Sequence, residues 1–165
     1  MRKLLLVIAG AGLLVAALAP VVLSDGNNEF EAALNGYEET PTLSVVGRGK
    51  FEARIRDGQI TFTLSYRNLT GAATQAHIHF GRPAIAGGVS AFLCGGSTKP
   101  ACPTTTSATI TGTIVAADVI GPAGQGIGPG EFAELVRAMR SHATYANVHT
   151  VAWPAGEIRG QLERD

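Results

Sequence analysis

The segment Ala76-His77-Ile78-His79-Phe80-Gly81 places two imidazoles two residues apart. Successive side chains of a strand alternate faces, so His77 and His79 share one face, about 7 Å apart at Cα, and Ile78 points to the other. A sheet offers two imidazoles to one metal ion in this way. A second period-two stretch, Tyr145-Ala146-Asn147-Val148-His149-Thr150, puts Tyr145, Asn147 and His149 on one face and Ala146, Val148 and Thr150 on the other. If the two strands are neighbours, three neutral imidazoles converge on one cation, a donor set that suits copper or zinc. Without a thiolate, three imidazoles leave an open coordination position, as a reactive or exchangeable copper site needs. Binding is expected to weaken as pH falls through about 6.5, where an ordinary histidine gains its proton. The alternative is a polar pair, His77 and His79, hydrogen-bonded across strands. His-x-His alone does not decide between them.

The run Pro154-Ala155-Gly156-Glu157-Ile158-Arg159-Gly160-Gln161-Leu162 follows a Pro/Gly turn and alternates again. Paired in a hairpin with the His149 strand, it brings Glu157 and Arg159 close to the imidazoles. Glu157 then has the chemistry to orient a ligand histidine and fix its tautomer, with Asn147 in the same surrounding shell. Arg159 has the charge to attract a small anion to the metal, a candidate catalytic role as anion guide. A structural ion pair at a strand end is the competing reading of Glu157 and Arg159.

These side chains need a sheet to position them, and the rest of the sequence is built for one. Gly49–Arg56 and Gln59–Tyr66 alternate apolar with polar residues around Asp57-Gly58, a two-residue loop suited to a type I′ turn. Further strands are expected at Phe30–Leu34, Thr74–Phe80, Val89–Leu93, Ser107–Val115, Tyr145–Val151 and Glu157–Leu162. About eight short strands separated by turn residues make an all-β sandwich or barrel. One segment breaks the period: Phe132, Leu135, Val136 and Met139 form the apolar stripe of a helix near 131–141. Glu131 and Glu134 in its first turn and Arg137 and Arg140 in its last match the helix dipole. The Gly-rich run 121–130 before it lacks the Lys-Ser/Thr ending of a phosphate-binding loop and reads as a connection.

Arg2 and Lys3 precede twenty uncharged residues, Leu4 to Leu23. That is the positive and apolar pattern of an export signal, and it is also long enough to span a bilayer. Residues 1–24 are expected to be a signal peptide or an N-terminal membrane anchor, and the domain is expected to be exported: periplasmic, secreted or in the cell envelope. Any membrane association would run through this segment if it stays uncleaved. Cys94 and Cys102 fit an oxidising compartment and are expected to form a local disulfide that pins its own loop. Removing the first 24 residues leaves 11 basic against 13 acidic groups, a net charge of −2 without a block of like charges. Nucleic acid is excluded as a partner on that ground, since a phosphate-backbone binder needs a basic face. Ser and Thr are plentiful, but no nucleophile elbow is present.

Four motifs in order, Gly36-Tyr37-Glu38-Glu39-Thr40-Pro41, Ala76–Gly81, Tyr145–Thr150 and Gly156–Leu162, resemble the CHRD domain family, named for repeats in the extracellular antagonist chordin. The resemblance covers roughly residues 29–162. It implies an all-β domain, an immunoglobulin-like sandwich or Greek-key barrel, in an exported protein, to which the periodicity adds the one short inserted helix. A weaker resemblance joins the histidine motifs to the copper/zinc superoxide dismutases. It implies copper on His77, His79 and His149, with Arg159 guiding an anion. The next histidine after His79 is His142, so the bridging histidine and zinc cluster of those enzymes have no counterpart. Two functions follow as expectations: copper binding with superoxide-type redox chemistry, or a non-enzymatic module that binds an extracellular protein or matrix component and carries structural histidines.

Overall fold

The computed structural model describes residues 28–165, and the segment 1–24 expected to direct export lies outside that range. Eight strands form the framework: β1 (Glu29–Asn35), β2 (Arg48–Arg56), β3 (Gln59–Arg67), β4 (Ala73–Phe80), β5 (Gly88–Cys94), β6 (Ala108–Ile114), β7 (Thr144–Thr150) and β8 (Ile158–Gln161). A two-residue β9 (Glu163–Arg164), which the sequence pattern did not suggest, adds to β1. The single α-helix, α1 (Phe132–Arg140), falls within the expected 131–141. Among the described residues no helix is long and apolar enough to cross a membrane.

The strands pair antiparallel in one sheet of order β5-β4-β7-β8-β1-β2-β3-β6. The sheet curls into a nearly closed barrel. At the Asp57-Gly58 turn both residues have positive φ, +50° and +75°, as a type I′ turn requires. Alternation then sends Phe51, Ala53 and Ile55 inward from β2 and Phe62 and Leu64 from β3. Phe30, Leu34, Ile78, Ile114, Ile158 and Leu162 complete the interior, and α1 adds Leu135 and Met139.

The seam between the terminal strands β5 and β6 is filled by chain, not by a direct ladder. Val119 bridges Ala91 of β5, and the Ile120 amide donates to the Ser90 carbonyl. Cys94 and Cys102 are joined in a disulfide, which closes the loop between the two strands on itself. From that loop Lys99 donates to the Thr113 carbonyl of β6 and pairs with the largely buried Asp118, each at 2.7 Å. The Asp118 carboxylate also accepts the Val115 amide.

Half of the barrel wall differs from the rest. β2 and β3 are buried on one face only, whereas most of β4, β7 and β8 is buried on both. Their inner face holds Ala76, Ile78, Ala146, Val148 and Ile158. Their outer face holds histidines, Tyr145, Asn147 and Arg159, and loops cover it.

Candidate metal centre

Register brings the outer-face side chains together. In the β4–β7 pairing His77 lies opposite Asn147, His79 opposite Tyr145 and Gln75 opposite His149. In the β7–β8 pairing Asn147 lies opposite Arg159. In the β4–β5 pairing one register shift immediately precedes His77 and another precedes His79, a local device that re-aims side chains. The three imidazoles converge: their ligand nitrogens all lie within 4.8 Å of one another, and they form a cluster able to hold a metal ion. His77 Nδ1 is 3.2 Å from His149 Nε2. That contact is a hydrogen bond in the metal-free chain, and its length is close to the separation of about 3.3 Å between two donors bound tetrahedrally to one ion at about 2.0–2.1 Å, so an ion would take the place of the shared proton.

Backbone carbonyls fix two of the rings. His79 Nδ1 donates to the Gly87 carbonyl at 3.0 Å, and His149 Nδ1 donates to the Pro154 carbonyl at 2.9 Å. A carbonyl only accepts, so both rings carry their proton on Nδ1 and leave a lone pair on Nε2. His77 and His79 are 3% and 8% exposed, and the Nε2 atoms of both are buried with no protein partner. Buried polar atoms are nearly always satisfied, so orphan imidazole nitrogens in such a cluster are what a metal ion would repair.

Burial also keeps the rings neutral, as ligation requires. It lowers the pKa of His77 to about 3, helped by the neighbouring His149 and His79. Burial lowers His79 to about 4 against the opposing pull of the Gly87 carbonyl. His149, partly exposed, is lowered by the same cause. The proton competition expected near pH 6.5 from an ordinary histidine therefore moves to lower pH, because the charged imidazolium would have to be desolvated.

The surrounding residues take roles that spacing alone did not give. Arg159 is 2% exposed, and its guanidinium carbon lies 3.4 Å over the Tyr145 ring. It donates to Thr40 Oγ1 at 3.2 Å and to the Arg82 carbonyl at 2.9 Å. Because β7 runs between β4 and β8, the Tyr145 ring separates Arg159 from His79, on which it stacks with centroids 4.7 Å apart. Glu157 is fully buried, but its carboxylate accepts from the Thr70 amide and the Thr150 hydroxyl, not from an imidazole. Asn147 donates to Glu39 at 2.6 Å and to the Ile158 carbonyl. Burial raises Glu39 to about 7, with the Asn147 hydrogen bond and Arg159 pulling the other way.

Gly87, Thr40, Glu39 and the Tyr145 hydroxyl therefore belong to the site although no role was read for them in sequence. Glu39 and Thr40 lie in the motif Gly36–Pro41. Gly87 acts through its backbone, which leaves no mark except the glycine itself: a Cβ there would stand 1.8 Å from the Phe80 carbonyl oxygen. His142 lies apart from the cluster and pairs with Glu163 at 2.7 Å.

The same residues carry a family pattern, for the CHRD domain matches residues 30–162. The chain belongs to the CHRD domain family. No curated protein and no solved structure matches it. In this CHRD domain three of the four motif segments, those around Glu39, His77/His79 and His149, meet in one buried layer, joined by the Asn147–Glu39 hydrogen bond and the imidazole cluster. The fourth supplies Arg159 to its edge.

Proposed function

We propose that this CHRD domain is an exported copper-binding domain with His77, His79 and His149 as the ligands. The observation that carries the reading is the convergence of His77, His79 and His149, whose ligand nitrogens lie within 4.8 Å of one another, with the buried Nε2 of His79 left without a protein partner. His79 and His149 are held in the Nε2 lone-pair tautomer by the Gly87 and Pro154 carbonyls, so they enter binding already oriented. Phe92 packs on His77 and Tyr145 on His79, and both of these histidines are buried, whereas His149 is partly exposed. Bound copper would supply one-electron chemistry, the basis of the superoxide-type activity that the weaker resemblance implies. The disulfide and the apolar run at 4–23 support export.

The test is copper stoichiometry by elemental analysis and calorimetry on the purified chain. Wild type is expected to bind one equivalent. His77→Ala or His149→Ala is expected to abolish stoichiometric binding, and His142→Ala to leave it intact. Equal copper affinity in wild type and the His77/His79/His149 triple variant would refute the reading and leave a protein- or matrix-binding module in its place. Copper binding with superoxide loss no faster than in free buffer would keep the site and remove the enzyme.

A further inference from the structure

We propose that the three-histidine cluster takes a monovalent ion, Cu(I), and discriminates against divalent ions. The inference rests on the metal-binding reading above and adds the charge of the ion. Its first ground is the donor set. Among the described residues the cluster contains His77, His79 and His149 and no carboxylate or thiolate. Both cysteines are consumed in the disulfide. The two buried glutamates are engaged elsewhere, Glu157 with Thr70 and Thr150 and Glu39 with Asn147. No carboxylate is therefore within ligating reach to balance a second positive charge on the ion.

Burial makes that deficit expensive. An ion's self-energy rises with the square of its charge, so a divalent ion loses about four times as much as a monovalent one on leaving water. Zinc and cupric sites in proteins offset this with a carboxylate, a thiolate or a retained water. Here the layer holds a fixed cation instead. Arg159 is pinned over Tyr145 by Thr40 and the Arg82 carbonyl, one aromatic ring away from His79. Glu39, the acid beside Arg159, is raised to about 7 by burial, so near neutrality it carries only part of a counter-charge.

Coordination number points the same way. Three imidazoles complete the shell of a three-coordinate Cu(I). A divalent ion would need at least a fourth donor, which no described residue supplies and which buried His77 and His79 do not admit, leaving only a water from the His149 side. The chemistry that follows is that of a holder or carrier of cuprous copper, with exchange at the partly exposed His149, and not that of a superoxide-type cycle, which needs a stable cupric state.

The experiment compares ions on the full chain. Cu(I) is titrated anaerobically in competition with bicinchoninate, Ag(I) serves as a redox-inert monovalent probe, and Zn(II) as a divalent probe equally free of ligand-field preference. Cu(I) and Ag(I) should each bind at one equivalent, at least about a hundredfold more tightly than Zn(II), the scale of a charge effect in a desolvated site. Zn(II) held as tightly as Cu(I) would overturn the inference and leave a metal site. Binding of none of the three would overturn the metal reading itself. Asn147→Asp, which adds a carboxylate opposite His77, should narrow the ratio at least about tenfold. An unchanged ratio in a folded Asn147→Asp chain would overturn the electrostatic argument.

Discussion

The tautomer of His79 is set two contacts away from its own ring. The Tyr145 hydroxyl accepts the Gly87 amide at 3.1 Å, and the carbonyl of the same residue accepts His79 Nδ1–H. The Tyr145 ring meanwhile stacks on His79 at an interplanar angle of 4°. One side chain thus anchors both the carbonyl that orients the imidazole and the imidazole plane. Tyr145→Phe keeps the stack and removes the anchor, leaving the Gly87 amide short of an acceptor, a loss of about 1–3 kcal/mol for a buried donor. Nitrogen NMR on the metal-free variant should show His79 as a mixture of tautomers, and its copper affinity should fall without loss of stoichiometry. A single unchanged Nδ1–H tautomer would show that the hydroxyl is not what sets it. Arg159 acts at the same scale through the loops it ties, with its guanidinium turned onto Tyr145, Thr40 and the Arg82 carbonyl and not toward open solvent.

At the scale of elements, alternation made the strands legible and the covering loops illegible. The pattern Phe51, Ala53, Ile55 against Glu52, Arg54, Arg56 marks β2 because one of its faces meets water and the other does not. The same rule read from β7 gives one apolar and one polar face, and both prove buried. What covers the polar face is the chain at 39–40, 81–87 and 153–157, which binds it chiefly through the carbonyls of Arg82, Gly87 and Pro154. Carbonyls are common to every residue, so that cover carries no sequence signature. The disulfide is a different case, since spacing and compartment suggested it and the structure shows what it holds: the loop carrying Lys99 across the β5–β6 seam. Cys94→Ser with Cys102→Ser should lower stability by about 2 kcal/mol in urea, the scale of closing a short loop, while far-ultraviolet circular dichroism stays that of a β-protein. Loss of the β spectrum would instead make the bond a condition of folding. The same loop reaches the site, because Gly96 packs so closely on Phe92 that a Cβ would overlap its ring, and Phe92 lies edge-on to His77 with centroids 4.6 Å apart.

At the scale of the whole molecule, a buried ionisable layer under loops makes stability depend on pH in two opposed ways. His77 and His79 titrate near 3 and 4 when folded, below the ordinary value of 6.5. Between those limits the unfolded chain binds more protons than the folded one, so stability rises with pH and is fully present only above about 6.5. Glu39 has the reverse sign. Its folded value is raised from 4.5 to about 7, so the folded chain holds the extra proton, and the stability this contributes is lost as pH rises through about 7. Two strongly shifted histidines, joined by His149 with the same direction, outweigh one glutamate from pH 4.5 to 6.5. The melting temperature of the metal-free domain should therefore climb from pH 4.5 to a maximum near 6.5 and decline gently above it. Replacing His77, His79 and His149 together by alanine should flatten the acid limb, and Glu39→Gln should remove the decline above neutrality. An acid limb of the same steepness in the triple variant would assign it to the surface carboxylates and show that the layer does not govern the molecule's pH response. Saturation with Cu(I) should shift the acid limb to lower pH in wild type and leave it in place in the triple variant, because an ion bound to the neutral imidazoles stabilises only the folded chain.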